Sequence, residues 1–307
     1  MKHASNLDNI ISSYRDREIQ ATAAWTQNSE STWVFGLALR LSKNHDDCVA
    51  GKVNMVKQTK SFEIGTEEWL TQTGGRLSIG QALALSGQGL AQAGRERFNR
   101  RRPTTAESSS QRVRVDIARG ELAAVLKTQR ARIIERQGQA LVNHACRTYL
   151  LGAALVSDEI FGRANQTATV VAALAHDDGL VHPSAGGNCF TADSATEAHA
   201  ILSHVGASSA DVQMARSAVI SHFQPRLPAH SGADAQIVAL GASADVMGFG
   251  LGRVDPGLLQ DMWDEWPELG FLADVKVLLK RERTRAPRTR PGVLAMSGMP
   301  YLLRAAR

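Results

Sequence analysis

Cysteine is nearly absent from this chain: Cys48, Cys146 and Cys189 are the only three in 307 residues. Three dispersed thiols cannot build a disulfide framework or a CxxC zinc site, and a reducing, cytoplasmic setting is the expectation. Aromatic residues make up 5%, and no alternating apolar–polar stretch of useful length occurs, so sheets are not expected. Proline is missing before Pro103. No stretch reaches the roughly 18 apolar residues of a membrane span, because Arg, Asp or Glu interrupts every long helical pattern. The opening residues MKHASNLDNIISSYRDRE lack the apolar core of a signal peptide. No internal repeat is found.

What remains is helix-forming. Ala, Leu, Gly, Gln and Arg are abundant, and the hydrophobic content of 43% is that of an ordinary globular protein. A chain of this length buries one large core or two small ones. The expected fold is all-α. Residues 1–65 carry no motif; within them TWVFGLALRL (32–41) reads as either a short helix or a buried strand. Residues 66–111 read as a helical lead-in, with glycine breaks at 74–75 and 87–94, closed by a linker, PTTAESSSQ (103–111). Residues 112–284 read as a main domain of successive helices near 118–136, 139–156, 167–176, 193–204, 210–223, around Asp245, and 256–283. Ser194 and Glu197 have the spacing of a capping box. Residues 285–307 read as a basic tail. The formal charge is +5, and its clusters, RERFNRRR (95–102) and KRERTRAPRTR (280–290), are not interleaved with stacking aromatics. They are read as solvated helix ends and a flexible tail rather than as a nucleic-acid surface.

The chemistry concentrates in VVAALAHDDGLV (170–181). An apolar helix there ends in His176-Asp177, two ligand types side by side. A carboxylate at the end of a buried helix is costly unless a cation or hydrogen bonds compensate it. His144 shares an apolar helix face with Leu141, Thr148, Leu151 and Leu155. Asp245 shares one with Val238, Gly241 and Gly248, small residues that let another helix approach, and no Arg or Lys is near it in sequence. Two His and two Asp on buried helices suit a divalent metal with positions left for water. A rival pair, His45-Asp46, lies in a polar turn and has only His3 upstream, so it reads as surface.

These residues sit in stretches that resemble the HD-domain superfamily of metal-dependent hydrolases. Within it, they are most similar to the branch that contains cyanamide hydratase and bacterial HD proteins. NHACRTYLLGAAL resembles that branch's NHSxRTYLFG, and AALAHDDGL its AALLHDLGL, with Asp178 where leucine is usual. CFTADSATEAHAIL, AVISHF, GASADVMGFGL and PELGF follow in order, and TGGRLSIGQALAL (73–85) is similar to a lead-in of longer members. The likeness spans about 66–300. It implies an HD-domain helical bundle with a helical N-terminal extension.

It also implies one divalent ion (zinc, iron or manganese) on His144, His176, Asp177 and Asp245. Asp178 or His222 would shuttle the proton. His222 shares a face with Val212, Ala215 and Val219, and a histidine occupies its block in the resembled branch; a second metal beside it stays open. Arg147, one turn beyond His144, and His182, after the HD pair, are the candidates for substrate contact. His199, His204 and His230 are assigned to surfaces. Three functions remain: a hydrolase or hydratase of a small molecule, a phosphohydrolase of a nucleotide or other phosphate ester, and a non-catalytic binding protein. The absence of an acid a few residues after the HD pair, where Leu180 stands, weakens the nucleotide reading. No membrane partner is expected, and a homo-oligomer is left open.

Overall fold

The computed structural model describes residues 62–98, 103–227 and 231–304. His3, the 32–41 segment, the His45-Asp46 pair, His230 and residues 99–102 of the first basic cluster lie outside the described residues. The helices are α1 (Glu67–Thr73), α2 (Ile79–Phe98), α3 (Thr105–Gln137), α4 (Gln139–Leu155), α5 (Asp158–Arg163), α6 (Gln166–Ala175), α7 (Asp178–Val181), α8 (Phe190–His204), α9 (Ser209–Ser221), α10 (Ala233–Met247), α11 (Pro256–Glu265), α12 (Phe271–Arg285) and α13 (Arg290–Met296). Two single 3-10 turns follow α10 and α13. The only β feature among the described residues is an isolated bridge between Arg76 and Thr289. The fold is all-α, and none of its described helices is long and apolar enough to cross a membrane.

Two helices make the centre. Every residue from Leu141 to Ala154 of α4 is buried, as is every residue from Ala168 to Ala175 of α6. Such all-round apolarity suits a helix enclosed by others. Asn165 starts α6 by accepting the Ala168 amide. Helix α10 lies against α4 with its backbone nearly touching. A Cβ at Gly241 would come 1.8 Å from the Thr148 carbonyl oxygen, and one at Gly152 would come 2.1 Å from that of Ile237. No side chain fits at either crossing. Gly241→Ala is expected to cost about 3 kcal/mol, the upper end for overpacking, read as a lowered denaturation midpoint. An unchanged midpoint would mean the two helices can separate freely.

Several elements differ from the sequence expectation. The serine-rich 103–111 stretch is not a linker. Thr104 and Glu107 form a reciprocal capping box there, and α3 runs on unbroken for 33 residues. Its composition suggested a loop, whereas the cap makes it a helix start. Gly87, Gly89 and Gly94 do not interrupt α2. The expected single helix over 256–283 is two, because Pro267 cannot extend α11. Helix α8 starts at Phe190 behind Cys189, whose amide donates to the Gly74 carbonyl. Ser194 therefore sits inside the helix and accepts the Gly179 amide instead of capping.

The basic tail is also structured. Arg290 is fully buried in α13, donates to Thr191 Oγ1 and the Ile220 carbonyl, and lies over the Trp69 ring. Arg285 makes a two-point pair with Glu282. Lead-in and tail meet directly, through the Leu77 amide on the Arg288 carbonyl and Ser86 Oγ on Ser297 Oγ, at 2.7 Å each. The described residues all belong to one compact unit, so the divisions expected at 111 and 284 do not separate independent bodies.

Candidate metal centre

His144 comes from the middle of α4, His176 from the end of α6, Asp177 from the turn into α7, and His222 from the end of α9. Each imidazole has its Nδ1–H committed away from the others. His144 donates to Asp245 Oδ2 at 2.7 Å, His176 to the Ala173 carbonyl at 2.7 Å, and His222 to the Val219 carbonyl at 2.6 Å. These bonds leave Nε2 of each neutral ring as a bare lone pair. The Nε2 atoms of His144 and His176 face each other at 3.1 Å. Asp177 Oδ2 stands 3.5 Å from the first and 3.4 Å from the second, and its Oδ1 lies 3.7 Å from His222 Nε2. All four side chains are buried, and His222 Nε2 makes no hydrogen bond. Phe271 stacks on the His144 ring with centroids 4.1 Å apart, and the His176 and His222 rings meet edge-on at 4.9 Å.

Two lone pairs at 3.1 Å repel unless a proton or a cation sits between them. Donors held 2.0–2.2 Å from one tetrahedral ion stand roughly 3.3–3.5 Å apart, close to the separations found. The buried cluster of His144, His176 and Asp177 can therefore hold a metal ion. Its charges already lean that way. Burial pushes the His176 imidazole down to about 3, against the pull of Asp177 and with help from the neighbouring His222 and His144, so it stays neutral. Burial would raise the Asp177 carboxyl, but the imidazoles of His176, His144 and His222 around it hold it well below the usual carboxylate range. Burial also works against a proton on His144, yet Asp177 and Asp245 raise that group above an ordinary imidazole.

The His176 shift has a consequence for stability. The unfolded chain takes up a proton below an ordinary imidazole value of about 6.5, whereas the folded His176 refuses it until about 3. Stability falls wherever the unfolded state binds more protons. The metal-free protein is thus expected to lose stability from His176 as pH drops through that window. His144 works in the opposite sense: its raised value contributes stability that is present at low pH and lost as pH rises. A comparison of thermal melts isolates His176, since metal-free His176→Gln is expected to decline less steeply than the parent between pH 6.5 and 4.5. Parallel slopes would refute this.

The other expected site residues are placed differently. Asp245 is not a member of the donor cluster. Arg147 grips it with two hydrogen bonds, Nε to Oδ1 at 2.9 Å and Nη2 to Oδ2 at 2.7 Å, and Arg304 adds a third contact at 3.3 Å. Burial would raise this carboxyl, but the His144 hydrogen bond and Arg147 hold it below the usual carboxylate range. Its role is to fix the orientation and tautomer of His144 from behind, as carboxylates do for metal-binding histidines. Arg147 is consequently no substrate contact: it is wholly buried, bound to Asp245 and to the Trp266 carbonyl.

Asp178, expected to carry a proton, turns the other way into a two-point pair with Arg136, both bonds 2.7 Å. Arg136 and Arg132 also reach Glu197. This network anchors the turn that presents Asp177. His182 donates through Nε2 to the Arg136 carbonyl at 2.7 Å and does not line the cavity. His222 lines the cavity, with its Nε2 3.7 Å from Asp177 Oδ1. Arg136, Glu197 and Arg304 were missed, because only tertiary packing brings them to these carboxylates.

The cluster forms the floor of a cavity of about 110 Å³. Its walls come from α10, α12 and α13 and, unexpectedly, from α2 of the lead-in, through Ser86, Gly89, Leu90 and Gln92. Comparison with protein-family models found no match, and neither did comparison with curated proteins.

Proposed function

We propose that the chain is a metal-dependent hydrolase or hydratase of the HD type, acting on a small molecule with one divalent ion on His144, His176 and Asp177. The observation that carries this reading is the convergence of bare Nε2 lone pairs and one carboxylate at the floor of a cavity. Imidazole and carboxylate donors suit zinc, iron or manganese. Three protein donors leave positions open, as in catalytic rather than structural sites. When bound, such an ion supplies a Lewis acid that makes water nucleophilic near neutral pH.

The chain's own residues do the rest. Asp245 holds the His144 proton on Nδ1, so Nε2 keeps facing the centre. The Arg136–Asp178 pair holds the Asp177 turn in place. His222 presents its unbonded Nε2 to the same space. As the oxygen of water joins an electrophilic carbon, His222 takes the proton that water gives up. It then delivers that proton to the substrate nitrogen or oxygen that receives the displaced electron pair. A phosphate-ester reading loses its main support, since Arg147 is occupied by Asp245.

The test is metal analysis of the purified protein, followed by a turnover screen of cyanamide and small nitriles against nucleotides and other phosphate esters. Bound metal with turnover of the first group supports the reading. A metal-free, inactive chain, or phosphate release alone, overturns it.

A further inference from the structure

The cavity above the cluster is built for a narrower set of molecules than "small". Apart from the cluster itself, no described side chain lining it is charged. Its polar members are neutral Ser86, Gln92, Gln224, Ser243 and Ser297, and two of these, Ser86 and Ser297, are bonded to each other. The rest of the wall is apolar, with Leu90, Leu180, Phe223, Val246, Met247 and Leu279 closing round the floor. The guanidinium groups of Arg147 and Arg304 face Asp245 and do not line the cavity.

A dianionic phosphate entering this space would shed its water and meet the bound divalent ion, whose charge Asp177 already half offsets, but no cationic side chain to balance the rest. Buried charge without such partners is strongly disfavoured. An apolar group entering the same space is favoured by the area it removes from water. Size favours compact molecules too: an enclosed apolar cavity of roughly 150 Å³ admits the six carbons of benzene, so this partly open one of about 110 Å³ takes about five non-hydrogen atoms.

We infer that the substrate is an uncharged molecule of about this size, with a compact apolar body attached to the carbonyl or nitrile carbon that water attacks. This rests on the hydrolase or hydratase reading for the chemistry but on the cavity wall alone for the selection.

Isobutyramide and isobutyronitrile match that description; acetamide and cyanamide lack the apolar body, and isopropyl phosphate carries the charge. Binding of all five to the metal-loaded chain is measured by titration calorimetry and thermal shift. The branched amide and nitrile are expected to bind at least tenfold more tightly than the other three. Ala242→Phe, which fills the cavity from α10, is expected to abolish that preference while metal per chain stays the same. Leu90→Lys, at an exposed position on the wall, is expected to weaken isobutyramide and strengthen isopropyl phosphate.

Tighter binding of isopropyl phosphate by the parent chain overturns the inference, as does an undiminished preference in Ala242→Phe. Should Ala242→Phe fail to fold, the opposite shifts of the two ligands in Leu90→Lys decide alone. Selective binding by a chain that holds no metal and turns nothing over would sink the enzyme reading and leave the cavity's preference intact.

Discussion

His176→Ala and Asp177→Ala are each expected to strip the bound ion from the protein while leaving its helix content almost unchanged. A full set of four ligands for a structural zinc is worth about 10–16 kcal/mol, so one donor carries roughly 3 kcal/mol, or about two powers of ten in affinity. Loss of either side chain does more than subtract one donor. Without Asp177 the lone pairs of His144 and His176 face each other with no carboxylate oxygen beside the two Nε2 atoms. Without His176 the pair that holds a cation in place is gone. Elemental analysis after gel filtration, alongside circular dichroism, reads both effects. If both variants retain a full ion per chain, the metal is held elsewhere and the assignment fails.

The second large effect is on stability and lies outside the donor cluster. Arg147→Met is expected to destabilise the fold by about 3–5 kcal/mol, the cost of breaking a buried ion pair from one side. Arg147 and Asp245 are wholly buried and bonded at two points. Removing the guanidinium leaves the carboxylate with only the contacts of His144 and Arg304, and frees the Trp266 carbonyl. In Arg147→Met/Asp245→Leu both charges are gone, and much of the loss is expected to return, giving a coupling well beyond additivity. Chemical denaturation measures each leg of the cycle. A loss below about 1 kcal/mol in the single variant would mean that solvent reaches this pair.

The elements that sequence periodicity defined best were those buried all round. Helices α4 and α6 begin and end within one residue of expectation because their apolar runs are bounded by Gly138 and Val156, and by Asn165 and His176. Gly241 of α10 was legible as a close-approach position, and the contact at Thr148 bears that out, whereas Gly248, expected on the same face, caps the helix instead. Composition misled where a local cap outweighed it: Thr104 with Glu107 turns a serine-rich stretch into two turns of helix. It misled again where arginines looked like a solvated tail, since nothing in 280–290 announces that Arg290 reaches across to Thr191 and Ile220.

Within the site, His144, His176, Asp177 and His222 could be picked out by residue type and helix face. The duties of Asp178, Asp245 and Arg147 could not, because each depends on which partner arrives from a distant helix. A carboxylate beside an arginine becomes a brace, and the same carboxylate without one would become a ligand. Asp245 was assigned to the ion because no basic residue is near it in sequence, yet Arg147 and Arg304 reach it through the fold.

That brace ties residues 144, 147 and 245 into one heritable unit. An imidazole and a guanidinium three positions apart on α4 share a single carboxylate on α10. A lineage that drifts at one of these positions would have to change the others with it, so in any set of diverged copies the three should vary together or not at all.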